Sequence, residues 1–204
     1  MIWQLNKIQY PLYNLGPGKR IGIWVQGCTI RCSDCINRSL WDPHNGKQVE
    51  IPELFSFIKQ LGGSFQGITI TGGEPFEQYP QLMAFSLMIK RHTQLDVMVY
   101  TGYSLDALFL KYPDETFTSN IDYLIDGPYC SNLPADDGIR GSSNQNMYRF
   151  SGKRAIACEL SSETKQWSLC CSQNTVYMAG VPLSGEMESL QQSLLDAGIV
   201  MQHV

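Results

Sequence analysis

Four short apolar segments, separated by longer amphipathic ones, constrain the fold of this chain more than any other feature. They read RIGIWVQG, GITITGGEPF, LDVMVYTGY and IDYLIDGPY, at residues 20–27, 67–76, 95–103 and 121–129. Short apolar runs bounded by glycine predict buried strands. Segments with the apolar spacing of helices lie between them, at residues 49–63, 78–92 and 104–112. Alternating strands and helices predict βαβ units with right-handed crossovers, and therefore an α/β fold with a mainly parallel sheet.

A polar or glycine-containing cluster ends each predicted strand: QGC, TGGEP, TGY and DGPY. In parallel α/β sheets and barrels, ligands gather at the carboxyl ends of the strands. Because parallel strands end at the same edge of a sheet, we expect the four clusters to meet there. The sequence therefore predicts a functional site at that edge.

The composition is that of a globular protein and argues against several classes. The chain has 204 residues, of which 43% are hydrophobic, and a net charge of −4, and this length suits one domain or one domain with an appendage. The lysines and arginines are scattered, so no basic stripe indicates a nucleic-acid partner. We find neither a signal peptide nor an apolar run of transmembrane length, so we expect a cytoplasmic protein without a membrane partner.

Three of the seven cysteines lie within eight positions, as Cys28, Cys32 and Cys35. Such a group in a reducing compartment is more often metal-binding or catalytic than disulfide-bonded, and thiolates favour iron–sulfur clusters or zinc. A structural zinc site needs a fourth ligand, for which His44 is the nearest histidine. A [4Fe–4S] cluster takes one cysteine on each of three irons and leaves the fourth iron open. The spacing favours the cluster, whose negative charge Arg31 would offset, and zinc stays as the alternative.

Two features outside these clusters stay open. The remaining cysteines show no repeated Cys-x2-Cys spacing and are interpreted as small buried residues, with a second metal site as the alternative; they are Cys130, Cys158, Cys170 and Cys171. The polar segment at 131–154 is too long for a neutral connector, which makes it a functional candidate. Its GSSNQ sequence offers amide and hydroxyl groups that can bind a polar ligand or a peptide backbone without charge.

Two motifs resemble those of a known superfamily. Cys-x3-Cys-x2-Cys after the first predicted strand resembles the signature of radical S-adenosylmethionine (SAM) enzymes, and TGGEP after the second resembles their glycine-glycine-glutamate motif. GKRIGIWVQGCTIRCSDCINRSLWD, VYTGYS, DYLIDGPY and RGSSNQ are similar to segments of anaerobic ribonucleotide reductase activators and related glycyl-radical-enzyme activases. The resemblance covers residues 15–146. It implies a partial (βα) barrel of the radical SAM type over residues 1–146, with residues 147–204 as a C-terminal extension packed on this core.

The resemblance also implies two cofactors and a reaction. Cys28, Cys32 and Cys35 would hold a [4Fe–4S] cluster as the catalytic metal ligands, and the open iron would bind the amino and carboxylate groups of SAM. The reduced cluster would then cleave SAM to methionine and a 5′-deoxyadenosyl radical. The implied partners are a glycyl-radical enzyme and an electron donor such as flavodoxin or ferredoxin.

The implied SAM contacts lie at the ends of the predicted strands, at Asp34, Cys35, Ile36, Gly72, Gly73, Glu74 and Asp126. The first three would line the adenine edge, and the Gly-Gly-Glu segment would meet the amino and carboxylate groups. Asp34 replaces an aromatic residue common in the superfamily, which narrows the resemblance to the reductase activators. Pro128 stands where many activases have a lysine, so that contact is in doubt. The residues alone also allow a plain glycine turn with a solvated Glu74 and a turn-capping Asp126.

Three functions are compatible with these features. The first is an activase that abstracts a hydrogen atom from a glycine Cα of a partner enzyme, and an incomplete barrel wall would let a protein loop reach the radical. The second is a radical SAM enzyme that acts on a small molecule or peptide, for which the C-terminal section could supply a lid. The third is a zinc- or cluster-binding module without catalytic activity.

Overall fold

One eight-stranded mixed sheet organises the protein, seen in a computed structural model that describes residues 1–160, 167–172, 175–180 and 186–198. Its strands are β1 (Ile2–Leu12), β2 (Arg20–Val25), β3 (Lys47–Glu50), β4 (Gly67–Gly72), β5 (Asp96–Tyr100), β6 (Tyr123–Asp126), β7 (Asn146–Ser151) and β8 (Arg154–Ala157). They lie in the order β3-β1-β2-β4-β5-β6-β7-β8. Two further strands, β9 (Trp167–Ser172) and β10 (Thr175–Gly180), pair with each other as an antiparallel hairpin.

The centre of the sheet is parallel. Strands β2, β4, β5 and β6 pair in parallel, as the apolar runs predicted, and two antiparallel strands flank them on each side. The α/β class is thereby confirmed. Strand β1 was not predicted. Its pairing with β2 shifts register between Leu5 and Lys7 and again between Gln9 and Leu12, so its apolar residues do not alternate regularly along the strand.

Five α-helices accompany the sheet: α1 (Ile51–Gln60), α2 (Tyr79–His92), α3 (Leu105–Lys111), α4 (Phe117–Asn120) and α5 (Glu186–Asp196). The helix predicted at 49–63 begins later than expected, because β3 pairs with β1 up to Glu50, and Pro52 then lies in the first helical turn. Helix α3 begins as predicted: the Ser104 hydroxyl accepts a hydrogen bond of 3.3 Å from Ala107 N–H.

The two faces of the sheet have different partners. Side chains that alternate along β2, β4 and β5 form the main core with α1, α2 and α3, and Ile23, Ile70 and Val99 are fully buried in it. The opposite face carries two smaller buried clusters. One contains Leu12, Leu15, Trp24, Leu40 and Ala179 of β10, and the other contains Met98, Ile125, Ile139 and Met147.

A fully buried arginine fixes the amino ends of the parallel strands. The Arg20 guanidinium donates to Thr69 Oγ1 at 2.7 Å, to Ile68 O at 3.0 Å and to Pro17 O at 3.0 Å. It also forms an ion pair with Asp96 at the start of β5. Because every one of these partners belongs to β4, β5 or the segment before β2, Arg20 holds three strands in register at the edge opposite the predicted site.

The sheet extends past the predicted domain boundary. Strand β7 begins at residue 146 and crosses the boundary, β8 continues the sheet to Ala157, and Ala179 packs against the residues around β1 and β2. The division into residues 1–146 and 147–204 stays a prediction. Among the described residues, no helix is both long and apolar enough to cross a membrane.

Candidate functional site

The cysteine loop, residues 27–41, lies directly after β2 at the carboxyl edge of the sheet. Its two ends are hydrogen-bonded to each other: Gly27 N–H donates to Leu40 O at 2.8 Å, and Cys28 N–H donates to Trp41 O at 3.1 Å. The Gln26 side chain supports this closure by donating to the carbonyls of residues 39 and 42. The loop is therefore a closed structure that begins where the strand ends.

The three cysteines of this loop are all partly buried and have free thiols, at Cys28, Cys32 and Cys35. Asn37 N–H lies 3.4 Å from Cys35 Sγ and points a backbone donor at that sulfur. Two cations lie in the same loop, where the guanidinium carbons of Arg31 and Arg38 are 5.9 and 5.7 Å from the centre of the Trp41 ring. The loop thus combines three soft ligands with positive charge and N–H donors, which suits an anionic iron–sulfur group.

The donors of the loop bear on the two metals considered from the sequence. A structural zinc site needs a fourth ligand, whereas a cluster takes its cysteines on separate irons and needs only Cys28, Cys32 and Cys35. In addition, the buried indole Nε1 of Trp41, the last residue of the loop, has no hydrogen-bond acceptor in the structure. Cluster sulfur would provide one, so the residues present fit a [4Fe–4S] cluster.

The Gly-Gly-Glu segment is in direct backbone contact with the cysteine loop. Gly73 N–H donates to Val25 O at 2.9 Å, and Glu74 N–H donates to Gly27 O at 2.8 Å. The two motifs, far apart in the chain, therefore form one continuous surface at the ends of β2 and β4. The expected meeting of the strand-end clusters is therefore observed for the QGC and TGGEP clusters.

The neighbouring backbone explains why residues 72 and 73 are glycines. Gly72 has a φ of 106°, in the region that favours glycine, and a Cβ there would lie 2.7 Å from Val25 N. A Cβ at Gly73 would lie 2.1 Å from Gly27 O. The close approach that requires these two glycines is therefore that of β2 and the cysteine loop.

Glu74 is a buried carboxyl group at the start of the 3-10 turn Pro75–Gln78, with 1% of its surface exposed. Its Oε1 accepts hydrogen bonds from Phe76 N–H at 2.9 Å and from the Thr101 hydroxyl at 2.8 Å. Its Oε2 accepts from Gly102 N–H at 2.8 Å. Burial raises the pKa of Glu74 to about 7, although these three donors oppose the shift. Glu74 is thus not the solvated residue of the alternative interpretation, and it joins β4 to the TGY cluster after β5.

Asp126 ends β6 and is likewise buried, with 1% exposed. Its Oδ2 accepts a hydrogen bond of 2.6 Å from Leu105 N–H, at the first turn of α3. Its Oδ1 accepts from the backbone and the side-chain amide of Asn146, at 3.1 and 2.9 Å. Asp126 therefore joins three elements, β6, α3 and β7. Its role as a SAM contact stays a prediction.

Asp34 connects the cysteine loop to a distant segment. The Ser131 hydroxyl donates to Asp34 Oδ2 at 2.7 Å, across 97 positions of the chain. Burial raises the pKa of the nearby Tyr129 hydroxyl, and the charge of Asp34 raises it further. Of the other predicted adenine contacts, Ile36 is 54% exposed. The segment after β6 thus lies against the third cysteine.

The GSSNQ residues mainly hold this segment, residues 127–145, in its own shape. The Gln145 side chain donates to Gly127 O at 2.9 Å and accepts from Gly141 N–H at 2.8 Å. Asn144 Nδ2 donates to Pro128 O at 2.8 Å. The amides that the sequence left open as ligand-binding groups are therefore engaged within the protein.

The remaining cysteines lie outside the cysteine loop. Cys130 and Cys158 are partly buried and free. Cys170 and Cys171 lie on β9, and their side chains are outside the described part of the structure.

One residue of the site was not predicted from the sequence. Glu77, three positions after Glu74, accepts hydrogen bonds from both the backbone N–H and the hydroxyl of Thr29 in the cysteine loop. Its only sequence signal is its place directly after the Gly-Gly-Glu motif, on the 3-10 turn Pro75–Gln78.

Comparison with known proteins agrees with this geometry. The family described as "4Fe-4S single cluster domain" matches residues 14–148. The anaerobic ribonucleoside-triphosphate reductase-activating protein of Enterobacteria phage T4 is 34% identical over 143 residues, which cover 65% of this chain and 85% of the relative. The protein of the same name from Pasteurella multocida is 31% identical over 160 residues, which cover 72% of this chain and 98% of the relative. The chain belongs to this 4Fe-4S family of radical SAM proteins.

Two further proteins match shorter parts of the chain. The pyruvate formate-lyase 1-activating enzyme of Escherichia coli is 40% identical over 70 residues, which are 31% of this chain and 27% of that enzyme. The solved structure of QueE from Escherichia coli is a remote likeness, with a TM-score of 0.45 and 18% identity over 50% of this chain and 53% of that one. The family match and the two reductase-activating relatives confirm the resemblance drawn from the two sequence motifs.

Proposed function

We propose that this protein is a radical SAM activase that generates a glycyl radical on a partner enzyme, an anaerobic ribonucleotide reductase. The observation that carries the proposal is that the chain spans 85% and 98% of two relatives that bear the name of reductase-activating proteins. The contact between the cysteine loop and the Gly-Gly-Glu segment, through Glu74 N–H and Gly27 O at 2.8 Å, supports it further.

Cys28, Cys32 and Cys35 would hold the [4Fe–4S] cluster and leave one iron open for SAM. Arg31 and Arg38, both exposed, lower the cost of gathering negative charge in the loop. When bound and reduced, the cluster would supply one electron that cleaves the sulfonium of SAM to methionine and a 5′-deoxyadenosyl radical. That radical would take a hydrogen atom from a glycine Cα of the partner, which yields 5′-deoxyadenosine and the glycyl radical.

Glu74 would receive the ammonium group of SAM. An ionised carboxylate has about four acceptor positions, and three donors of this protein already use two on Oε1 and one on Oε2. The position left on Oε2 suits one ammonium N–H. A cation there would also offset the cost of burying the ionised carboxylate, so Glu74 would be ionised in the SAM complex.

The other predicted contacts would orient the rest of SAM. Gly72 and Gly73 would line the amino acid part with backbone, and Asp34, Cys35 and Ile36 would lie along the adenine edge. Asp126 would act mainly by holding α3 and β7 in place at the ribose end, since both of its oxygens accept hydrogen bonds from Leu105 and Asn146.

The electron would come from an acidic carrier such as flavodoxin or ferredoxin. The cysteines are only partly buried, and the exposed Arg31 and Arg38 lie in the same loop. Opposite charges on the two surfaces would speed their encounter. Because free thiols persist in reducing compartments, we propose the cytoplasm as the location.

Anaerobic reconstitution tests the proposal. We expect about four iron atoms per chain, and formation of 5′-deoxyadenosine when dithionite and SAM are added. Cys32→Ala should abolish both, whereas the matched change Cys158→Ala, outside the loop, should abolish neither. A glycine doublet in the EPR spectrum should then appear when the protein is mixed with the ribonucleotide reductase of the same genome. A protein that forms 5′-deoxyadenosine but no glycyl radical on that reductase would overturn the activase assignment, and a protein without iron would overturn radical SAM chemistry as a whole.

A further inference from the structure

The Glu77 side chain connects the Gly-Gly-Glu region to the cysteine loop. Its Oε1 and Oε2 lie 2.9 and 3.2 Å from Thr29 N, and Oε1 also accepts from the Thr29 hydroxyl. Thr29 directly follows Cys28, the first of the three cysteines. A single carboxylate therefore takes up both donors of the residue next to Cys28.

The same carboxylate is connected to helix α3. The Tyr103 hydroxyl lies 3.5 Å from Glu77 Oε1, at the limit of a hydrogen bond, and Lys111 Nζ donates to the Tyr103 hydroxyl at 3.1 Å. Lys111 Nζ also lies 4.4 Å from the centre of the Tyr103 ring. A polar chain thus runs from α3 through the TGY cluster after β5 to the cysteine loop.

The cysteine loop has few other attachments in this stretch. Its two ends are closed by Gly27 and Cys28 against Leu40 and Trp41, and Asp34 holds the loop near the third cysteine. Between these points, Thr29 is held from outside the loop by Glu77. Hydrogen bonds to a charged acceptor contribute more than neutral ones. This contact is exposed, but two donors of Thr29 bind the same carboxylate, which restrains the backbone beside Cys28.

We infer that Glu77 is a positioning residue for the iron–sulfur site: its carboxylate fixes the backbone beside Cys28 and keeps the reduction potential of the bound cluster low. The effect on the reduction potential follows from charge. Glu77 contacts the residue that follows Cys28, and a negative group so close to a cysteine ligand opposes the addition of an electron to the cluster. The effect on the reduction potential rests on the proposed function, whereas the positioning of Thr29 does not.

Two variants separate position from charge. Glu77→Gln keeps an acceptor for Thr29 N–H and removes the charge, whereas Glu77→Ala removes both. Glu53→Gln and Glu53→Ala are the matched controls, since Glu53 is an exposed glutamate in the first turn of α1. In the reconstituted protein, an EPR-monitored redox titration should give Glu77→Gln a more positive midpoint potential than wild type, and Glu53→Gln an unchanged one.

A second measurement needs no cluster. In hydrogen–deuterium exchange of the apoprotein, Glu77→Ala should make the amide of Thr29 exchange about tenfold faster, because it loses its acceptor. Glu53→Ala should leave that amide unchanged. Equal exchange of the Thr29 amide in Glu77→Ala and Glu53→Ala would overturn the positioning role. Equal midpoint potentials in Glu77→Gln and Glu53→Gln would overturn the effect on the cluster. If wild type takes up no iron, the proposed function fails, and the exchange experiment still decides the role of Glu77.

Discussion

At the scale of single residues, Glu74 combines two opposing influences in one carboxyl group. It is almost fully buried, which favours the protonated form, and it accepts three hydrogen bonds, which favour the ionised form. Burial has the larger effect and raises the pKa from 4.5 to about 7. A bound cation would favour the ionised form of such a carboxyl group, which burial disfavours.

The raised pKa of Glu74 predicts a pH-dependent stability of the apoprotein. Between the unfolded value of 4.5 and the folded value of about 7, the folded state binds more protons than the unfolded state. The contribution of Glu74 to stability is therefore fully present below pH 4.5 and falls as the pH rises through 7. From pH 5 to 8, wild type should lose about 3 kcal/mol of unfolding free energy relative to Glu74→Gln, as measured by urea denaturation. Parallel pH profiles of the two proteins would contradict this.

Gly73 gives a second prediction at this scale. In Gly73→Ala, the new Cβ would lie 2.1 Å from Gly27 O, and neither backbone can move without separating β4 from the cysteine loop. We expect a loss of about 3 kcal/mol of unfolding free energy together with reduced iron binding. Gly152→Ala is the control: Gly152 has a φ of 58° but nothing within 4 Å of a Cβ, so it should lose only about 1 kcal/mol and keep its iron. Similar losses in both variants would show that the close approach is not the cause.

At the scale of elements, the sequence predicted the parts of the fold that are apolar throughout. Strands β2, β4, β5 and β6 are buried on both faces, so each one reads as a continuous apolar run. Strands β1, β3, β7 and β8 lie outside them. Strands β1 and β7 mix buried with exposed side chains, β3 and β8 have no buried side chain, and β1 also shifts register, so their pattern is weak in a single sequence.

The candidate site was predictable to a similar degree. The cysteine motif and the Gly-Gly-Glu motif both follow a strand of the parallel sheet. The contact between the two motifs at one edge therefore follows from parallel pairing alone. The contacts between Glu77 and Thr29 and between Ser131 and Asp34 join residues 48 and 97 positions apart. Nothing in the local sequence specifies such pairs, because they depend on where loops lie in the folded chain. For the same reason, the internal role of the GSSNQ amides could not be read from their composition.

The edge of the parallel strands opposite the site gives a prediction of its own. Asp96→Ala removes the carboxylate that faces Arg20 and leaves a fully buried guanidinium with one partner fewer. We expect a loss of about 2 kcal/mol in urea denaturation, less than for a fully buried pair because Asp96 is 27% exposed. The exposed Asp136→Ala should change stability by less than about 0.5 kcal/mol. An unchanged stability of Asp96→Ala would mean that the neutral partners of Arg20 suffice.

At the scale of the whole molecule, the C-terminal hairpin closes part of the sheet face opposite the main helices. Ala179 is 2% exposed and packs with Leu12, Leu15, Trp24 and Leu40. In addition, Asn14 Nδ2 donates to Ala179 O. These contacts support the proposal that residues 147–204 form an extension packed on the core.

Ala179→Glu tests this attachment. A carboxylate forced into an apolar cluster is costly, so the hairpin should detach and β9 and β10 should become more sensitive to limited proteolysis. The core should keep its iron after reconstitution, as judged by its iron content and absorption. Ser189→Glu adds the same charge at an exposed position of α5 and should leave proteolysis unchanged. Loss of iron binding in Ala179→Glu would show instead that core and extension fold as one unit.

The contacts between the cysteine loop and the segment after β4 also determine when the site comes into existence. A nascent chain that ends at residue 60 already contains all three cysteines. It lacks the Glu74 N–H that binds Gly27 O, the Glu77 carboxylate that binds Thr29, and β4, the parallel neighbour of β2. The hydrogen bonds that close the loop on itself lie within such a chain, whereas the contacts that hold the loop against the Gly-Gly-Glu segment do not. The three cysteines alone therefore do not make the site of this structure, which also requires the segment after β4.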